Sequence, residues 1–190
     1  MNGTEVVPIR LVASRRKPAR ISKKGVTLRT GSPSDAPAIH ALVFDHLQEG
    51  HLLPRTLEEI ALHAKRFVVA EHRGHVIACA ELAPLSSSVA EIRSLVVSRD
   101  ARSLGLSRRI VGELLQRATI AGFGKLCAFT HSPGYFVHLG FSIVPHVWLP
   151  EKIVTDCRTC THFRRCGQYA VMHTLARTRE ACVPLAALHG

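Results

Sequence analysis

No apolar run in these 190 residues approaches the roughly 20 that a membrane-spanning helix requires, so no membrane partner is expected. The first residues also lack a continuous apolar stretch ending at a small-residue cleavage site, and a secretory leader is not expected. Internal repeats are absent, which sets aside repeat architectures. Acidic residues are few, 14 against 25 lysines and arginines, and the formal net charge is +11. What remains reads as a globular chain in a reducing, cytoplasmic setting, with 46% hydrophobic and 21% charged residues. Its length suits one domain with tails.

The positive charge is unevenly spread. Seven cations against Glu5 alone give residues 1–25 a net +6 and leave +5 for the rest of the chain. With two prolines and weak periodicity, 1–25 reads as a flexible basic arm. Such an arm can hold the phosphates of a nucleic acid. A solvated tail is the plainer reading, and nucleic acid ranks last among the partners. A basic body also suits a cofactor bearing several phosphates. The sequence leaves a homodimer open.

Apolar spacing predicts a helix over 36–50, with Ile39, Leu42, Val43 and Leu47 on one stripe and Gly50 as its stop. A second helix is predicted over 56–65, opened by a capping box of Thr56 and Glu59. The strongest helix pattern is 106–121, ended by Gly122, and a short helix is expected over 135–139. Strands are expected at 26–29, 67–71, 75–82, 90–97, 125–130, 141–144 and 169–175, with His72-Arg73-Gly74 as a hairpin turn. A hairpin-rich first half and a strand-helix-strand crossover in the second imply an α/β (α+β) fold with a mixed sheet. The expected domain is 26–176, with a cysteine-bearing insert over 150–168 and a tail over 177–190.

The most informative stretch is 92–111. An apolar strand enters a turn with Gly105 and passes directly into an amphipathic helix with no acidic residue in its first turn. The start of a helix leaves backbone N–H groups unpaired and carries the positive end of the dipole. With a glycine allowing close approach, this is a site for a pyrophosphate, and Arg102, Arg108 and Arg109 can add charge-assisted contacts. On geometry alone, a core helix with a solvated basic face explains the pattern equally well.

Arg102-x-x-Gly105-x-Ser107 after Leu95-Val96-Val97 resembles the R-x-x-G-x-[GA] signature of the GNAT N-acetyltransferase superfamily, with Ser107 where glycine or alanine is usual. The resemblance covers about 26–176 by element order and implies a mostly antiparallel sheet with helices on both faces. It further implies acetyl-CoA as cosubstrate. The backbone of Leu95, Val96 and Val97 would hold the pantetheine arm as an added strand. The loop of Arg102, Ser103, Leu104, Gly105, Leu106 and Ser107 would hold the pyrophosphate. Leu139-Gly140-Phe141 is similar to the pair closing the last family motif. Where many members place a tyrosine to protonate the departing thiolate, this chain has Phe136, and Tyr135 beside it is expected to point elsewhere.

Within the superfamily three stretches are similar to short stand-alone amino-acid N-acetyltransferases of the N-acetylglutamate synthase type, which lack an amino-acid-kinase domain. They are 51–60, 90–97, and Leu149-Pro-Glu-Lys-Ile followed by cysteines. The resemblance implies a small-molecule amine acceptor, L-glutamate first, at the opening step of arginine biosynthesis. A dicarboxylic acceptor needs cations, and Arg55 and Arg93 are the candidates. His131 and Ser132 stand where some members carry an arginine. The acceptor ammonium must lose a proton before attack on the thioester, and Glu81 and Glu91 on adjoining strands are the candidate bases. The Leu95 N–H is the candidate donor to the acyl oxygen. Cys79 and Cys127 read as core residues.

Of six cysteines, Cys79, Cys127 and Cys182 stand alone, whereas Cys157, Cys160 and Cys166 fall within ten positions. One C-x2-C pair with a third cysteine reads first as a structural or redox-sensitive thiol cluster, and with His162 it is also a candidate set for structural zinc. The nearby arginines are expected to favour thiolates.

Overall fold

The computed structural model describes residues 24–47 and 52–176. Residues 1–23 of the expected arm, Gly50, His51, the tail over 177–190 and Cys182 lie outside them. Seven strands form one sheet in the order β1-β2-β3-β4-β5-β7-β6. They are β1 Val26–Thr30, β2 Phe67–His72, β3 His75–Pro84, β4 Val89–Val97, β5 Lys125–Thr130, β6 Ser142–Val144 and β7 Tyr169–Thr174. Every neighbouring pair is antiparallel except β4 and β5. Among the described residues five helices accompany them: α1 Ala36–Phe44, α2 Leu57–Leu62, α3 Leu106–Ile120, α4 Pro133–Val137 and α5 Pro150–Thr155.

Local chemistry explains the boundaries. The β2–β3 hairpin turns on Arg73 and Gly74, with φ of 51° and 79°, the left-handed pair that a two-residue turn between twisted strands requires. α3 closes with Gly122 at φ 81°. There the Phe123 N–H bonds the Ala118 carbonyl and the Gly122 N–H bonds that of Thr119, both at 3.0 Å, a Schellman closure. α1 stops at Phe44, earlier than its apolar stripe predicts, and the ring Nδ1 of buried His46 lies 2.7 Å from the Leu42 carbonyl. A carbonyl can only accept, so the imidazole donates and ends the helix. The Thr56 box is half made: its hydroxyl accepts the Glu59 N–H at 3.1 Å, while the Glu59 carboxylate turns to Arg55 Nε at 2.8 Å. α2 ends at Leu62, short of the expected 65, and a 3-10 turn at Ala64–Arg66 leads into β2.

Period-two alternation divides the sheet into two buried faces. Val68, Ala70, Ala78, Ala80, Ala90 and Ile92 pack beneath Leu106, Ile110 and Leu114 of α3. Phe67, Val69 and Cys79 pack beneath Ile39, Leu42, Val43 and Ile60 of α1 and α2. Helices therefore cover both faces, as the mixed α/β expectation requires. On β4 the alternation changes parity. Ala90 and Ile92 face α3, but further along it is Leu95 and Val97 that do, and Val96 faces α1. The cause is a β-bulge: Cys79 pairs with Val96 and Glu81 with Arg93, so β4 holds one residue more than β3 over this interval. Ser94 within it has φ of 51°.

Arg29 of β1 joins three segments. Its Nε donates to Glu71 of β2 at 2.7 Å, and its two terminal nitrogens donate to Asp35, ahead of α1, at 2.7 and 2.8 Å. The guanidinium holds the Asp35 carboxyl well below the usual carboxylate range. A lowered folded pKa gives stability that is present above the unfolded value, about 4, and is lost as pH falls. Asp35→Asn is expected to lower stability at pH 7 by about 1–2 kcal/mol. Denaturant titrations should show the difference from wild type shrinking steadily once pH drops below about 4.

Candidate active site

β4 and β5 pair only from Val89–Glu91 against Lys125–Cys127. β5 continues beside β7 to Thr130, whereas β4 bends away through the bulge toward Val97. The β5-side backbone edge of β4 beyond Glu91 thus borders a gap instead of a strand. Leu95 and Val97 turn their side chains onto the α3 core and Val96 turns its own beneath α1. Peptide groups are what β4 offers to an extended chain entering the gap.

The loop after β4 repeats this theme. A 3-10 turn at Arg99–Ala101 leads to Ser103 and Gly105, with φ of 70° and 72°. The first intrahelical bond of α3 runs from the Arg109 N–H to the Gly105 carbonyl at 3.2 Å, so the amides before Arg109 have no helical acceptor. No side chain caps this end and no acidic residue lies in its first turn. A Cβ on Gly105 would meet nothing within 4 Å, so the approach to these amides is open and glycine is required there for its φ. Leu106 is buried in the core and Leu104 packs against it. Arg109 leans on β1, 3.4 Å from the Val26 carbonyl, while Arg102 and Arg108 are exposed beside the loop. An anion at this helix start meets backbone donors and the dipole without displacing a side chain.

Phe136 is buried, with its ring 5.3 Å from that of Phe141, so the position that aligns with the family tyrosine is filled by core. Tyr135 points toward α3 beside Ser107. Its hydroxyl is buried, and burial raises the phenol above its ordinary value, with the Ser107 side chain and the Arg108 charge opposing.

On the opposite face lies a cleft lined by 52–55, Glu59, 91–94, Phe129, Lys152, Asp156 and Gln168. Alternation places Glu81, Glu91 and Arg93 on this one face, and Glu81 is the cross-strand partner of Arg93. Arg55, in the loop before α2, reaches over the strands to Glu81 Oε2 at 2.9 Å. Glu81 is 1% exposed, with His63 3.6 Å and Arg66 4.0 Å away on its other oxygen. Glu91 is 3% exposed and meets Arg93 Nε at 2.6 Å and Lys152 Nζ at 2.7 Å. Asp156 closes the ring, bonding Arg93 and, at 2.8 Å, Lys152. Burial alone would lower the Arg93 guanidinium, but Glu91, Asp156 and Glu81 together raise it.

Arg55, Arg93 and Glu91 therefore meet in one cleft, and Glu81 lies just outside its lining, held beneath Arg55. His131 and Ser132 follow β5, exposed and outside the lining; the His131 ring sits near Gly167, 3.5 Å from where a Cβ would stand. Lys152 and Asp156 were not anticipated, although their i,i+4 spacing after Pro150 is the pattern of an ion pair on a helix.

The zinc expectation requires correction. Among the described residues no group of three or more His, Cys, Asp and Glu is placed to hold a metal, and Cys157, Cys160, Cys166 and His162 do not form one. Cys157 opens the 3-10 turn at Cys157–Thr159 and Cys160 ends it, Cys166 follows the turn at Phe163–Arg165, and His162 and Cys166 are exposed. Burial pushes the Cys157 thiol above its ordinary value, outweighing Lys152, the reverse of the expected thiolate. A single C-x2-C pair with no second pair facing it explains the outcome. Cys79 and Cys127 are buried in the sheet and pushed up to about 12, so neither thiol is ionised near neutral pH.

Presenting backbone rather than side chains along both strand edge and helix start is how a transferase accommodates the long, phosphate-tailed arm of an acyl carrier. Comparison with known proteins narrows that class. A profile of the Acetyltransferase (GNAT) family matches residues 36–141, more than half of the chain, and the chain belongs to this family of N-acetyltransferases. It is 31% identical over 148 residues to an uncharacterized N-acetyltransferase of Chlorobaculum tepidum, covering 78% of this chain and 96% of the relative. An amino-acid acetyltransferase of Neisseria meningitidis is 30% identical over 136 residues, 70% of this chain and 31% of the relative. Among solved structures, N-acetylglutamate synthase from Neisseria gonorrhoeae, complexed with coenzyme A and N-acetyl-glutamate, superposes with a TM-score of 0.72 at 27% identity, over 80% of this chain and 35% of that one. The chain spans about a third of the length of these last two proteins. No helix of the described residues is long and apolar enough to cross a membrane.

Gly105→Ala places a side chain in the left-handed region at the mouth of the loop and is expected to cost about 1 kcal/mol of stability. Steady-state kinetics should show KM for acetyl-CoA rising about tenfold, with acceptor KM changed far less.

Proposed function

We propose that this chain transfers the acetyl group of acetyl-CoA to the α-amine of an amino acid, with L-glutamate as the first acceptor to test. The product would then be N-acetylglutamate, an opening step of arginine biosynthesis in the cytoplasm. One observation carries the reading: the cleft beside the parted strands is lined by Arg55, Arg93 and Lys152, three cations suited to an acceptor bearing carboxylates. The names of the Neisseria relatives support it.

Acetyl-CoA supplies a thioester activated toward amines. Leu95, Val96 and Val97 bind its pantetheine arm through peptide groups, and the amides from Gly105 to Ser107, with Arg102, Ser103 and Leu104 alongside, bind its pyrophosphate. The Leu95 N–H, on the bulge, donates to the acyl oxygen. Glu91 faces the cleft and takes the proton of the acceptor ammonium, directly or through a water. Glu81 orients Arg55, which it holds from below. With both core thiols protonated, the amine attacks the thioester carbon directly: the C–N bond forms, the C–S bond breaks, and coenzyme A leaves as a thiolate that takes a proton from solvent. A second reading, a cationic small or protein amine, is favoured by Glu59, Glu91 and Asp156 in the same cleft.

Thiol release from acetyl-CoA, screened across the amino acids and a set of polyamines, separates the two. Glutamate-dependent release supports the first reading, and release driven only by polyamines replaces it with the second. In the first case Arg55→Ala should raise acceptor KM by about tenfold or more, with KM for acetyl-CoA held.

A further inference from the structure

Arg93 and Lys152 hold two carboxylates, and the two differ in kind. Glu91 lies on the sheet, 3% exposed, and cannot leave without stranding a buried charge. Asp156 sits just past the end of α5, its side chain 33% exposed, in the first residue before the cysteine-bearing turns. It engages both cations through one oxygen, Oδ2, leaving Oδ1 without a share in either. An acceptor carboxylate has the same charge and could offer one oxygen to each cation. Placing it beside Asp156 would set three carboxylates against two cations in a half-buried cleft; placing it where Asp156 stands keeps the charge unchanged. Rotation of one side chain is enough to release Asp156, because the backbone bond from its N–H to the Lys152 carbonyl, 3.0 Å, is independent of the carboxylate.

We propose that Asp156 occupies the acceptor's carboxylate subsite on Arg93 and Lys152 and is displaced when the acceptor binds, so that it sets the threshold for carboxylate-bearing acceptors. The proposal rests on the amino-acid reading above and adds to it the subsite and its built-in competitor. Asp156 acts on affinity and not on the chemical step. An acceptor with no free carboxylate does not compete with it.

The test uses the full chain, with Asp156→Asn and the charge-retaining Asp156→Glu compared with wild type, each first checked by thermal melting. For the free amino acid turned over by wild type, Asp156→Asn is expected to lower KM about tenfold at unchanged kcat, as loss of a competing charge-assisted contact implies. Asp156→Glu should keep the high KM, and the same amino acid with every carboxylate capped as an amide should show no change in either variant. A KM for the free amino acid that stays put or rises in Asp156→Asn overturns the proposal, since Asp156 would then bind the ammonium or serve only as a strut. Glutarate, a dicarboxylate without an amine, gives a readout independent of turnover. It should raise the melting temperature of Asp156→Asn more than that of wild type, and equal shifts overturn the proposal. If no amino acid is acetylated by wild type while another amine is, the amino-acid reading falls, and the glutarate comparison still decides whether this subsite exists.

Discussion

One additional residue in β4 governs the rest of the molecule. The bulge opposite β3 places Ser94 at a left-handed φ, which costs a non-glycine residue on the order of 1 kcal/mol. It also reverses which side chains face α3 and swings the second half of the strand away from β5. Without it β4 and β5 would stay paired to their ends, as hydrogen bonding between parallel strands favours, and there would be no gap to enter. The strain is held in place by what surrounds it. Val96 is buried beneath α1, Leu95 and Val97 pack toward α3, and the Cys79 thiol leans on the Ser94 carbonyl at 3.7 Å.

The same strand carries the electrostatics. Residues before the bulge present Glu91 and Arg93 to the face lined by residues 52–55 and by α5, and neither Glu81 nor Glu91 could be buried there unpaired. Arg55 comes from a loop and Lys152 from a short helix that packs on Phe129, its ammonium 5.2 Å from the ring centroid. Each of these distant segments is therefore anchored to the centre of the sheet through a charge. The cleft between them exists because those anchors hold it open.

Much of this was legible in the sequence. The seven strands, α3 with its glycine stop and the Gly105 turn before it follow from periodicity and from residues with strong local rules. The early end of α1 was not, because it depends on His46 folding back onto Leu42, and a lone histidine announces no such bond. Glu59 likewise fits a capping box in sequence and is drawn instead to Arg55. On the site side, period two correctly set Glu81, Glu91 and Arg93 on adjoining strands. It gave no account of which charge neutralises which, since Lys152 and Asp156 arrive from sixty residues downstream. The cysteine spacing was ambiguous for a related reason: it permits convergence on a metal and equally a thiol cluster without one, and among the described residues no metal-holding group is formed.

The sheet order places β7 between β5 and β6, so the chain must leave the sheet after Val144 and return to it at Tyr169. The excursion supplies Lys152 and Asp156 to the cleft, and it begins beyond residue 141, where the family profile ends. The excursion contributes two of the six charged side chains that line the cleft, and the other four lie within the stretch that matches the family. A lineage can rewrite the excursion, and so retune the cleft, without disturbing the backbone edge of β4 or the start of α3. During synthesis those two charges are the last of the six to emerge.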